Sequence, residues 1–370
     1  MLDDAVLMQR RQTKRKWKQT LILILIALAS LTGAWGAAHP QYISGNWHEL
    51  LARILPQQSG EWVQTDYGPE TCAFSLQDDI FFAEVGSITA LQSNGATLYR
   101  EVTSFISPQA MLSKKTAALF EPGGTELLLV TSEGITPVDI PLGIDTAAVS
   151  DLGTLAVVTA GSGYQTVTRW YDAQGNILRE LGFRDKAMVL MTFLNGSDTL
   201  AACSITPAGQ WILQIYSGEN TLEYTLDVSE VYDLKPCGQG VAIWTCNGIC
   251  IFSAQAMPNA QLDFSPERLL AWDSDSFAAI VLWEQGRCVI TTLTESGKQF
   301  KSEPLCRTPI NLSVCASRLC VLDREALLFY DMQCIQQDAT SQGALAADVQ
   351  AVPGGAVLLG SSQFMRYFVK

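Results

Sequence analysis

TCAFSLQDDIFFAEVGSITALQSNGATLYREV, residues 71–102, is four short β-forming runs cut by three turns. The runs are TCAFSL (71–76), DIFFAEV (79–85), SITALQ (87–92) and ATLYREV (96–102); the breaks are Gln77-Asp78, Gly86 and Ser93-Asn94-Gly95. Aliphatic, aromatic and β-branched residues fill the runs, and Asn-Gly between two such runs is a strong hairpin signal. The same grammar returns down the chain. Gly86, Gly123, Gly163, Gly209, Gly248, Gly286, Glu325 and Ser362 each mark a tight turn between strand-like runs, at steps of 37 to 46 residues. A second series, Gly95, Gly134, Gly175, Gly218 and Gly297, advances by 39, 41 and 43 residues and then by 79, which is two periods. A repeat of about 40 residues built from four short strands is the signature of a β-propeller blade. The expected fold class is all-β, an eight-bladed β-propeller. Seven blades stay open as an alternative, should the weak seventh or eighth unit be irregular.

The second unit reads AALF, ELLLVT and ITPVDI. The last reads ADVQAV, AVLLG and QFMRYFV and runs out at Lys370 after only three strands. A ring left open there would expose an unpaired sheet edge, which invites aggregation. EWVQTD (61–66) is an orphan strand just before the first unit. It is expected to close the propeller domain, 61–370, by pairing with 362–369.

The charge is unevenly placed. Residues 1–20 carry +4, from Arg10, Arg11, Lys14, Arg15, Lys16 and Lys18 against Asp3 and Asp4, within a chain of net charge −13. A basic head suits anionic phospholipid, and the acidic remainder argues against a nucleic-acid partner. TLILILIALASLTGAWGAA (20–38) follows, without a charge and bracketed by Trp17 and Trp35. At ~1.5 Å per residue it spans ~28 Å, close to the ~30 Å of a hydrocarbon core. The reading is a cytoplasmic tail (1–19), a transmembrane helix (20–38) meeting lipid through residues 10–38, and an exported remainder. The small residues Ala34, Gly36, Ala37 and Ala38 leave cleavage as a signal peptide open. In the linker 39–60, Trp47, Leu50, Leu51, Ile54 and Leu55 form a helical stripe behind a candidate N-cap, Asn46. It is either a juxtamembrane helix in the interface or a packing helix at the base of the propeller.

No residue constellation points to catalysis. The two histidines, His39 and His48, precede the repeats, so no Ser–His–Asp triad or His-based metal site is expected in the ring. The ten cysteines contain no CxxC pair. They are read as small core residues, with Cys246/Cys250 and Cys315/Cys320 as the pairs able to face each other across a hairpin. Trp170, Trp211, Trp244, Trp272 and Trp283 are read as packing between blades. Asp78-Asp79 and Asp273-Ser274-Asp275 are read as turn caps rather than calcium or acid–base carboxylates. Gly161–Gly163 is a turn without a phosphate-loop lysine. No catalytic, cofactor-binding or metal-ligating residue is assigned, and no cofactor.

The head RRQTKRKWKQTLILILIALAS (10–30), the segment NWHELLARIL (46–55) and the repeats together resemble a domain-of-unknown-function family of clostridial-type proteins. Its members have one membrane span and an extracytoplasmic propeller-like domain. The chain is also similar, more loosely, to propeller scaffolds of cell envelopes that help assembly machinery. It lacks the Gly-His…Trp-Asp signature of WD repeats and the docking motifs of quinone-cofactor propellers. Ser150-Asp151-Leu152-Gly153-Thr154 shares only part of a sialidase Asp box. The resemblance implies no activity. The expected function is a membrane-anchored extracytoplasmic binding or assembly scaffold, with a protein or glycan partner on the propeller face. The alternatives are a glycan-active enzyme with carboxylates converging at the mouth, or a sensor of an extracellular ligand.

Overall fold

The computed structural model describes residues 62–65, 71–77, 79–360 and 362–369. The tail, span and helix expected within 1–60 lie outside the described residues, as do His39 and His48. Among the described residues no helix is long and apolar enough to cross a membrane. The described chain forms eight antiparallel sheets of four strands each. They are successive blades: blade 1 (72–102), blade 2 (109–139), blade 3 (144–183), blade 4 (187–226), blade 5 (231–263), blade 6 (269–301), blade 7 (311–340) and blade 8 (348–368 with 63–64). The count is eight, not seven.

The apolar runs of the middle strands have a direct cause. Side chains alternate between the two faces of a strand, and in a propeller each face packs on a different neighbour. In blade 3, Leu155 and Val157 join the cluster shared with blade 2, while Ala156 and Val158 join the one shared with blade 4. In blade 4, Leu200 and Ala202 face blade 3, and Ala201 and Cys203 face blade 5. A second strand therefore needs apolar residues at every position. The fourth strands sit outermost, and in blade 1 Thr97–Val102 is mostly exposed.

Eight such clusters fill the eight junctions, and the eighth closes the ring. It joins Ile80, Phe82 and Leu91 of blade 1 to Val352, Val357, Leu359 and Phe364 of blade 8. The rings of Phe82 and Phe364 lie 5.9 Å apart. The N-terminal strand Val63–Gln64 completes blade 8, with Val63 opposite Phe364 and Gln64 opposite Gln363. Thr65 N donates to Ser362 O at 2.7 Å.

Two features were hidden in the sequence. Blade 2 has a first strand, Gln109–Leu112, that pairs with Ala117–Phe120. It is four residues long, follows Pro108 and buries no residue fully, so neither periodicity nor burial marks it. The gap in the second glycine series is filled by Ala256, and Cys334 extends the series. Both take the left-handed backbone that glycine adopts elsewhere, at φ 57° and 61°.

Strand alternation gives the ring two unlike faces. First-to-second and third-to-fourth turns lie on one, called the hub face below. Second-to-third turns and the links between blades lie on the other, the connection face.

Candidate functional site

On the hub face the first-to-second turns meet around Asp275, in the turn after the blade 6 strand Leu269–Ser274. Its carbonyl accepts from Gly238 N of blade 5 at 2.7 Å and from Asn195 Nδ2 of blade 4 at 2.8 Å. Its carboxylate accepts from Ala316 N of blade 7 at 2.7 Å and lies 2.7 Å from Lys114 Nζ of blade 2. Blades 2 and 6 are opposite in a ring of eight, so this ion pair crosses the axis. The Asp275 side chain is 8% exposed and that of Lys114 50%. Burial pulls the Lys114 pKa down, but Asp275, through charge and hydrogen bond, and Asp151 outweigh it and hold the ammonium above the ordinary lysine value.

Further ties run between neighbours. Asp151 of blade 3 accepts from Lys114 N at 2.8 Å and from Gly196 N of blade 4 at 3.2 Å. Ser150 Oγ donates to Asp198 Oδ1 at 2.8 Å. Asp273 pairs with Lys235 of blade 5 at 3.0 Å and accepts from Val314 N of blade 7 at 2.8 Å. Gln350 of blade 8 exchanges two hydrogen bonds with the Ser75 backbone of blade 1. The turn-cap reading of Asp273 and Asp275 is thus corrected: their carboxylates tie other blades together. Capping belongs instead to residues such as Asp172, which accepts from Gln174 N and Asn176 N, and Asp331, which accepts from Gln333 N and Ile335 N. Asp79 opens a strand, and Asp78 is outside the described residues.

The connection face carries clefts and exposed apolar residues. A cleft of about 360 Å³ lies between the Gly286 turn and the link from blade 6 to blade 7. Trp283, Arg287, Cys288, Leu305, Cys306, Arg307 and Thr308 line it. A second, of about 510 Å³, is lined by Cys246, Asn247, Gln261, Asp263, Phe264 and Ser265. Between them the clefts hold one carboxylate, that of Asp263. Around the Gly86 turn, Val85, Val102 and Ile106 are 72%, 89% and 73% exposed. Their backbones are held side by side, since Gly86 N donates to Phe105 O and Thr103 N to Gly86 O.

Most of the other candidate residues fall into place as packing, but Cys306, read as a core residue, is exposed. All ten cysteines are thiols. Cys250 sits opposite Ile243 and Gln261, and Cys320 opposite Ser313 and Phe329, so the two hairpin pairs do not face each other. Burial raises Cys203 to about 12 and Cys237 and Cys250 to about 11. Cys246 goes the other way: burial pushes it up, but a hydrogen bond from Ser229 Oγ and backbone bonds at Glu230 and Ser229 bring it below the usual thiol value. Trp170 meets Tyr216 of the next blade edge-on at 5.5 Å, and Trp244 and Trp272 do the same across blades 5 and 6 at 6.5 Å. Trp211 is buried. Trp283 departs from the pattern and stands 45% exposed at its cleft. Among the described residues no group of three His, Cys, Asp or Glu side chains is placed to hold a metal.

Comparison with solved structures returns propellers at low identity. BamB from Moraxella catarrhalis superposes with a TM-score of 0.53 at 9% identity, covering 84% of this chain and 99% of that one. Sqt1 from Saccharomyces cerevisiae gives 0.53 at 10%, covering 84% and 98%. The dihydro-heme d1 dehydrogenase NirN gives 0.51 at 12%, covering 82% and 76%. At these identities the likeness is one of fold alone. No curated protein sequence matches the chain. Residues 61–196, which hold the closing strand, blades 1 to 3 and the start of blade 4, match a family of unknown function, DUF5711.

Proposed function

We propose that the chain is a membrane-anchored extracytoplasmic propeller that acts as a binding or assembly scaffold at the cell envelope, with a protein partner met on the connection face. The observation that carries the binding reading is the exposed apolar cluster on the connection face. On the hub face, charged and polar side chains tie blades together, and the exposed apolar residues Leu152, Met257 and Ile335 stand in turns of three separate blades. On the connection face, three large β-branched residues point into solvent and two clefts lie open. Exposed apolar patches rimmed by polar residues are characteristic of interaction sites. The anchor rests on the sequence: the cluster Arg10–Lys18, the uncharged run 20–38, and Trp17 and Trp35 near its two ends.

Exposed Cys306 supplies the test of topology. Full-length chain in intact cells is treated with a membrane-impermeant maleimide, and membranes are then washed with carbonate. The expected result is a labelled Cys306 on a chain that stays in the washed membrane. Labelling only after lysis, with the chain recovered in the soluble fraction, overturns the anchored, exported reading. In-cell cross-linking tests the binding reading and is expected to capture a protein of the envelope.

A further inference from the structure

The tip of the blade 1 hairpin is unlike the other seven. The residues just before the repeating turn position are Val85, Pro122, Ser162, Ala208, Asn247, Gln285, Arg324 and Ser361. Only blade 1 has a large β-branched side chain there. A hairpin tip has no core to offer it, and turns favour Gly, Asn, Asp, Ser and Pro for backbone reasons. Val85 is not alone. The hydrogen bonds from Gly86 N to Phe105 O and from Thr103 N to Gly86 O bring Val102 and Ile106 beside it. Phe105, 3% exposed, pins the link into the core, so the three exposed side chains stand on a fixed backbone. A rigid apolar cluster loses little conformational entropy when it is covered.

The described charged residues named around this cluster are mostly carboxylates. Glu84 precedes Val85, and Glu101 precedes Val102. Glu121 accepts from the backbone N–H of Ile106 and Ser107, and Glu126 accepts from Ser104 Oγ. Across 79–107 the one cationic side chain is Arg100, and its guanidinium turns to Ser87 Oγ at 3.3 Å. We propose that Val85, Val102 and Ile106, rimmed by Glu84, Glu101, Glu121 and Glu126, form the docking site for a cationic amphipathic segment of a partner protein, one whose apolar side chains are flanked by Lys or Arg. This rests on the reading of the ring as a protein-binding scaffold and names where and what it binds. The apolar centre gives affinity, and the carboxylate rim selects the sign of the partner and speeds its encounter. The same rim disfavours an anionic lipid surface.

The test uses full-length chain in nanodiscs of zwitterionic lipid, with empty discs as the blank. The probe is a short fluorescent peptide alternating lysine with leucine; its counterpart carries glutamate for lysine. One variant combines Val85→Ser, Val102→Ser and Ile106→Ser, and another Glu84→Gln, Glu101→Gln and Glu126→Gln. Glu121 is left in place because it caps backbone groups. The wild type is expected to bind the lysine peptide and not the glutamate one, more weakly as salt rises from about 0.05 to 0.5 M. Each variant is expected to lose about tenfold in affinity while keeping the wild-type melt. Equal binding by the wild type and both variants overturns the site, since the general acidity of the body then suffices. So does patch-dependent flotation with phosphatidylglycerol vesicles, which would make the occupant lipid. A wild-type dimer that the serine variant dissociates makes the occupant a second copy and also overturns it. If in-cell cross-linking captures the same protein with wild type and serine variant, the site fails and the scaffold reading stands. If the wild type captures no protein, both fail.

Discussion

The two faces of the ring treat their polar side chains in opposite ways. On the hub face, one residue, Asp275, touches blades 2, 4, 5 and 7 through its carbonyl and carboxylate. On the connection face the local glutamates stay within their own neighbourhood, and Val85, Val102 and Ile106 are left to water. The contrast separates two jobs that a propeller must do: hold blades in register around an axis, and present a surface. A hairpin tip that ties blades together is buried by its partners; a tip that presents a side chain must leave it uncovered. The hub should therefore matter for stability and the connection face should not.

Ring closure comes before either face. Deleting residues 362–370 removes the strand Gln363–Phe368 with Phe364, Met365 and Tyr367, all buried in the two junctions of blade 8. Each large buried side chain contributes about 1.5–3 kcal/mol, against a total stability of about 5–15 kcal/mol. The truncated chain is expected to lose its cooperative melt and to aggregate through the opened edge. A cooperative melt at the wild-type temperature would mean that the ring does not depend on its last strand, and the contrast of faces would lose its frame.

Within the closed ring, Asp275→Ala is expected to cost about 2–3 kcal/mol, because it strands the Ala316 N–H and removes the partner of Lys114. Lys114→Met should cost less, about 1 kcal/mol, since the lysine side chain is half exposed and water screens the pair. The pH dependence has a definite sign. A lysine whose folded pKa is raised stabilises fully below its unfolded value of 10.5, and that contribution fades as pH climbs through the higher folded value. The gap between wild-type and Lys114→Met denaturant midpoints should stay constant from neutral pH to about 10 and shrink above it. An Asp275→Ala protein with an unchanged midpoint would make the hub ornamental.

Much of this was legible before any coordinates. The period, the turn glycines and the incomplete last unit mark eight blades, because propeller turns demand particular backbone conformations that glycine supplies best. Legibility ended where chemistry and position part company. Gln109–Leu112 carries no alternation because it buries nothing completely. Ala256 and Cys334 hold glycine positions without being glycine. Asp275 looks in sequence like any Asp in a turn, and only the closed ring brings Ala316, Asn195 and Lys114 to it, from 41, 80 and 161 residues away. Val85 was visible all along, as the one large β-branched residue in a column of small or polar residues. The signal was the column rather than the residue.

Thiol chemistry separates the faces without perturbing either. Cys246 and Cys306 belong to the connection face, the first with a depressed pKa and the second exposed. Cys237 and Cys334 lie at hub-face turns, buried, and burial raises both. Because the thiolate is the reactive form, alkylation at pH 8 should mark Cys246 and Cys306 early, and Cys237 and Cys334 only after denaturation. Peptide mass spectrometry over a time course reads this directly. Cys237 reacting as fast as Cys246 would mean that the hub face opens readily in the native state.

The smallest effect is the sharpest discriminator. Val85→Ser, Val102→Ser and Ile106→Ser together should shift the stability of the ring by no more than about 0.5 kcal/mol, since exposed side chains contribute little to folding. The same number of substitutions in a junction, for instance at Phe82, Phe364 and Leu359, would cost about 2–5 kcal/mol each. A large loss from the exposed triple would show that these residues pack on something in the native chain, and the patch would then be structural. A small one, measured alongside lost peptide affinity, leaves binding as the reason that three β-branched residues stand in water at one hairpin tip out of eight.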